Sequence, residues 1–271
     1  MASLTRGSVA GHLVRQTLPM IVGIVCIIGV GLVDAYFIGQ LGPDALAAVS
    51  FLVPVMTALS RLGVGVMVGV NSVVSSAIGA DRWDKAECRA ALGFVFAGIV
   101  GLVIAALLYT FSEQLFTAMN ATPALRALIA EYVGPYALGF PFLLVAMGAN
   151  GTLRGQGEAV KSSSMLIIIA IVNAILDPVL IFGWGPVPAL GVAGAAWAVA
   201  IAYVVSSALA IWLLAGSALR FDLRRCLGGG VLAGIREIAK VGAPAAIANA
   251  VNPAGLAALT AIAATHGDAV V

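Results

Sequence analysis

The sequence predicts an all-α, polytopic membrane protein, and three observations carry that prediction. Its 271 residues are 62% hydrophobic and only 10% charged, where a soluble domain carries about 25% charged residues. Apolar runs long enough to cross about 30 Å of hydrocarbon at about 1.5 Å per residue recur along the chain. The alternating segments of about ten residues that mark a transmembrane barrel do not occur.

Seven runs qualify as spans, near residues 16–41, 45–79, 90–111, 126–153, 162–183, 190–218 and 233–265. The first begins after Arg15, holds Pro19 early and carries an acid, Asp34, inside "IGVGLVDAYFIGQLG". The second is long enough to tilt or to project past the bilayer. It carries Thr57, Arg61, Gly65, Gly69, Ser72 and Ser76 at helical spacing. The glycines suit close helix packing. Arg61, far from both ends of its span, is a functional candidate that could pair with an acid, line a cavity or snorkel. The third span follows Arg82, Lys85 and Arg89. The fourth holds Asn150 near its end. The fifth carries Asn173 and Asp177 four residues apart on one face, with Pro178 next in sequence. A short turn, "GWGPVPALGVAG", leads to the sixth, and "RCLGGGVLAG" forms a flexible joint before the seventh.

Orientation follows from the basic residues. Of the 14 Lys and Arg, Arg126 alone falls on one side, Arg61 lies within a span, and the rest cluster on the other side. The positive-inside rule then makes the N-terminus cytoplasmic and the last residues external, in an inner-membrane, multi-pass protein. The first residues lack a small-residue cleavage site after an apolar run and read as a lead into span one. Of the three cysteines, Cys26 lies in an apolar run, and Cys88 and Cys226 flank loops, so no disulfide framework is implied.

Span seven resembles span one. "LVRQTLP" (13–19) aligns with "IAKVGAP" (238–244), and "QLGPDAL" (40–46) with "THGDAVV" (265–271), both at one offset of 225 residues. Six spans then make one unit, and an even number per unit makes the repeats parallel. The expected organisation is an amino-terminal six-helix lobe (1–218), a cytoplasmic linker (219–232) and the first helix of an incomplete second lobe (233–271).

Asp34 and Asp177 lie at matched depth, roughly 24–29 Å from the basic edge of their spans. A carboxylate in hydrocarbon is costly, so two at one depth, with Asn173 beside them, suggest a shared site. A desolvated carboxyl beside a second acid can hold a proton at neutral pH. Carboxylate and amide oxygens equally suit a hard cation such as sodium. Pro19 and Pro178 each remove a backbone hydrogen bond and are candidate bend points. No GxxxxGK[ST] motif points to ATP, and no HExxH motif to a zinc protease.

"VDAYFIGQLGPDALAAVS" (33–50), "GVNSVVSSAIGADRWDKA" (69–86), "GANGTLRGQGEAVKSS" (148–163) and "NAILDPVLIFGWGPVPALGVAGAAWA" (173–198) together resemble the multidrug and toxic compound extrusion (MATE) transporters over the whole chain. The resemblance implies two six-helix lobes around a central cavity, working by alternating access, of which this chain matches the first seven helices. It implies a transporter, not an enzyme, and no cofactor. In the DinF-like branch, the residues matching Asp34, Asn173 and Asp177 bind a proton or sodium, with the residue matching Asn150 in their network. Pro19 matches the first-helix proline. The absence of an acid in 241–265 favours that branch over the NorM-like one. The absence of Ser and Thr in 191–202 favours protons over sodium, with no other metal. The implied partners are small organic, often cationic, substrates and membrane lipid, with no nucleic acid, and the missing lobe would belong to a longer protein. Two alternatives stay open: a flippase for lipid-linked saccharides from the same superfamily, and a non-transporting membrane fragment.

Overall fold

The computed structural model describes residues 9–217, 219, 226 and 231–264. Seven long helices run through the described residues: α1 (Val9–Gly39), α2 (Pro43–Gly79), α3 (Trp83–Ala118), α4 (Pro123–Gly155), α5 (Ala159–Phe182), α6 (Val192–Ala215) and α7 (Val231–Ala264). α1 to α6 are each long and apolar enough to cross a membrane. The fold class is therefore the all-helical, polytopic one that the composition predicts. α7 has comparable length, 34 residues, with Arg236, Glu237 and Lys240 in its first three turns.

The largest departure from the expected spans is α3, which runs from 83 to 118 where its apolar window covers 90–111. An apolar window measures what fits in hydrocarbon. The helix itself continues while backbone bonds and side-chain partners hold. At one end Lys85 and Arg89 are engaged by Glu237 of α7. At the other, the Thr117 hydroxyl donates to the Glu113 carbonyl at 2.7 Å.

α4 sits at the centre, against α2, α3, α5 and α6; α1 lies along α5, and α7 along α2. The main core joins Phe51, Leu52 and Val70 of α2 to Leu92 and Ala97 of α3 and Phe140 and Leu144 of α4. A second cluster, with Leu153, Met165 and Leu214, closes α4, α5 and α6 together. The small residues of α2 form the seam with α7. A Cβ on Gly69 would lie 2.5 Å from the Ile238 carbonyl oxygen, and one on Gly242 would lie 2.9 Å from that of Gly65. Only glycine lets the two backbones approach this closely.

α1 and α7, the proposed repeat pair, are both long helices, described over Val9–Gly39 and Val231–Ala264. The match at 265–271 lies outside the described residues. So do Arg6, Arg220, Arg224 and Arg225, and most of the linker.

One expectation is corrected. Cys88 of α3 and Cys226 of the linker form a disulfide, with Cα atoms 5.4 Å apart across 138 positions. Cys26 is free. Spacing along the chain does not reveal this pair, because the packing of α7 against α2 and α3 is what brings Cys226 to Cys88.

Candidate functional site

α1 and α5 pack side by side and run in the same direction. A Cβ on Gly23 would meet Leu166, 143 positions later, at 3.2 Å. At the same separation Asp34 faces Asp177, within hydrogen-bonding reach of it. Constant register along two parallel helices thus turns matched depth into contact. Each acid lies five residues before the end of its helix.

Asp177 is 0% exposed and Asn173 is 1% exposed. Asn173 Nδ2 donates to Asp177 Oδ1 at 3.3 Å. Asp34 Oδ1, Asp177 Oδ2 and Asn173 Oδ1 are buried and have no hydrogen-bond partner among the described residues. Two facing carboxylates cannot bond to each other unless one carries a proton. Three acceptor oxygens of this group are therefore left without a donor among the described residues, and a proton or a hard cation would supply what is missing. In a helix, a proline at 178 also releases the carbonyl of Ala174, one residue past Asn173.

An aromatic shelf from α4 and α6 borders the acids. Tyr132 lies within electrostatic range of Asp34 and Asp177. Its ring stacks on Tyr136 with centroids 6.1 Å apart, and Tyr136 meets Tyr203 edge-on at 6.2 Å. The Tyr136 hydroxyl is buried without a hydrogen bond of good geometry among the described residues, with Ser60 and Tyr203 as its polar neighbours. Sequence reasoning missed this shelf. Its signal was the run Tyr132, Tyr136, Phe140, spaced by four on one helical face. An apolar cluster of Ile38, Ala45, Ile181, Val192 and Ala195 packs beside Tyr132.

Asn150 does not join the acids, which corrects its assignment to the same network. Its Nδ2 donates to the Ser162 carbonyl at 3.0 Å, and the Ser162 hydroxyl donates to Asn150 Oδ1 at 2.8 Å. Arg154 Nε donates to the same hydroxyl at 3.0 Å. Ser162 precedes Asn173 by eleven residues, about 16 Å along α5. Asn150 therefore fastens the α4–α5 turn, at the opposite end of α5 from Asp177.

Pro19 and Pro178 both lie inside continuous helices, α1 and α5. Arg61 stands midway along α2, exposed and with no ion pair among the described residues. It lies one turn from Gly65, on the face that packs against α7. Its neighbour Ser60 turns the other way, toward Tyr136. Among the described residues no cluster of three His, Cys, Asp or Glu side chains forms a metal site.

Known proteins resemble this chain in sequence and in fold. The MatE family model matches residues 19–179. A FAD transporter of Shewanella oneidensis is 34% identical over 255 residues, which cover 92% of this chain and 55% of that protein. The multidrug export protein MepA of Staphylococcus aureus is 30% identical over 193 residues, covering 70% of this chain and 42% of MepA. A solved MOP-superfamily transporter from Pyrococcus furiosus, described as having a binding pocket of reversed polarity, superposes with a TM-score of 0.83 at 28% identity, covering 92% of this chain and 54% of its own. An inward-facing multidrug resistance MATE transporter superposes at 0.84 and 27% identity, with 96% and 59% covered. The chain spans about half the length of the curated relatives it matches.

Proposed function

Because the chain belongs to the MatE family, a family of membrane transporters and not of enzymes, we propose that it forms the cation-coupling lobe of a secondary exporter of organic compounds. A second lobe of similar size would complete the cavity, in an inner membrane, with the amino-terminus in the cytoplasm. The supporting observation is the convergence of Asp34, Asn173 and Asp177 with three acceptor oxygens unpaired. Proton entry at the facing carboxyls removes their repulsion and lets one donate to the other. Proton loss restores the repulsion across the α1–α5 contact. That difference gives the ion a differential affinity for two arrangements of α1, which alternating access requires. Protons are favoured over sodium because α6 places Ala195, without a hydroxyl, in the apolar cluster beside Tyr132.

The test is transport by the full-length protein in proteoliposomes. An imposed proton gradient should drive export of a cationic dye, and a sodium gradient should not. Asp177→Asn should reduce the driven flux to background while the protein stays folded. Undiminished flux in Asp177→Asn would remove the coupling role.

A second reading concerns the substrate. Arg61 is a cation on the α7-facing side of α2, and one relative is named for transport of FAD, an organic anion. On this reading Arg61 pairs with an anionic group of the cargo. Arg61→Ala would then depress flavin dinucleotide export and leave cationic dye export intact.

A further inference from the structure

At the basic end of the bundle, the last turns of α2, the α2–α3 connection and the first turns of α7 enclose a cavity of about 300 Å3. Its polar wall is Ser72, Ser76, Arg82, Lys85, Glu237 and Lys240. Glu237 is already engaged, with Oε1 3.2 Å from Lys85 Nζ and Oε2 2.9 Å from Arg89 Nε. The nearby Asp81 accepts a hydrogen bond from the Trp83 indole at 2.9 Å. Arg82 and Lys240 are exposed and have no carboxylate partner among the described residues. The Ser72 and Ser76 hydroxyls make no hydrogen bond among them either. Among the described residues the cavity thus holds two cations without a carboxylate partner and two hydroxyls without a hydrogen bond, a set that matches phosphate oxygens.

The rest of the wall decides the source of the phosphate. Val73 and Val241 line the same cavity, and apolar side chains beside a phosphate site suit glycerol and the first acyl carbons. Position agrees. α2 has 37 residues, so it is about 56 Å long and its last turns reach the headgroup layer of a core about 30 Å thick. Basic pockets between spanning helices at that level suit anionic headgroups.

We propose that this cavity binds the phosphate of an anionic phospholipid, held by Arg82 and Lys240 with Ser72 and Ser76 as hydrogen-bond donors. The bound lipid would bridge the α2–α3 connection to α7, across the end of the glycine seam.

The test is lipid binding to the delipidated full-length protein by native mass spectrometry, with phosphatidylglycerol and phosphatidylcholine as probes. Two basic side chains near a headgroup contribute roughly five-fold each, so phosphatidylglycerol should bind on the order of 30-fold more tightly. Arg82→Gln with Lys240→Gln should abolish that preference, and Arg82→Lys with Lys240→Arg should keep it. Arg126→Gln, at the other end of the bundle, should also keep it. An unchanged thermal unfolding midpoint without lipid shows that each variant is folded. Equal binding of the two lipids by the unaltered protein would overturn the proposal. So would an unchanged preference in the Gln double variant, or displacement of phosphatidylglycerol by millimolar inorganic phosphate, which would assign the site to a soluble anion.

Discussion

Replacing Gly69 with alanine tests the seam that fixes α7 against α2. The new Cβ would stand 2.5 Å from the Ile238 carbonyl oxygen and 3.1 Å from the Gly242 Cα and N. An ordinary close approach of carbon to carbonyl oxygen is about 3.3–3.6 Å, so the two helices must part by about 1 Å. All three obstructing atoms are backbone, and no rotamer change relieves the contact. Overpacking of this kind costs about 1–3 kcal/mol. Alanine in a helix interior returns about 0.5–1 kcal/mol relative to glycine. The net expectation is a loss centred on about 1 kcal/mol, read as a fall of about 1–2 °C in the thermal midpoint of the full-length protein, about twice this length, in detergent. Gly31→Ala supplies the opposite sign. Nothing lies within 4 Å of a Cβ there, so only the propensity gain remains and the midpoint should rise slightly. If Gly69→Ala were as stable as the unaltered protein, or rose with Gly31→Ala, the close approach of α2 and α7 would be refuted.

Three further outcomes follow from named contacts. Tyr136→Phe removes a buried hydroxyl that has no hydrogen bond of good geometry among the described residues, so thermal unfolding should show no loss and a gain of up to about 1 kcal/mol. A loss would show that the hydroxyl is bonded in the working protein. Glu237→Gln removes the carboxylate held by Lys85 and by Arg89, whose side chain is 8% exposed. With the carboxylate 40% exposed, it should cost about 0.5–1.5 kcal/mol, with Glu237→Asp intermediate, both read by the thermal midpoint. Peptide mapping of oxidised protein without reductant should recover a Cys88–Cys226 linked peptide and alkylated Cys26. A linked peptide containing Cys26 would contradict this arrangement.

Sequence and structure divide along physical lines. The length of each apolar run and the 1.5 Å rise per residue are local quantities. From them alone came the helical class, the approximate spans and the matched depth of Asp34 and Asp177. The glycine spacing on α2 was legible too, as a surface built for close packing. Helix ends were less legible, and α3 shows why. Its polar first turn is held by Glu237, 148 positions away from Arg89. The same limit explains Asn150, which the family resemblance joined to the acidic site but whose partner is Ser162 across the α4–α5 turn. It also explains the Tyr132–Tyr136–Tyr203 shelf and the Cys88–Cys226 bond, which join residues from separate elements. The sequence by itself determined which helices form and where along its own run each polar side chain sits, because both depend on neighbours within one run. The tertiary structure alone decided which side chains at one depth touch, because helix register and rotation are set by packing between runs.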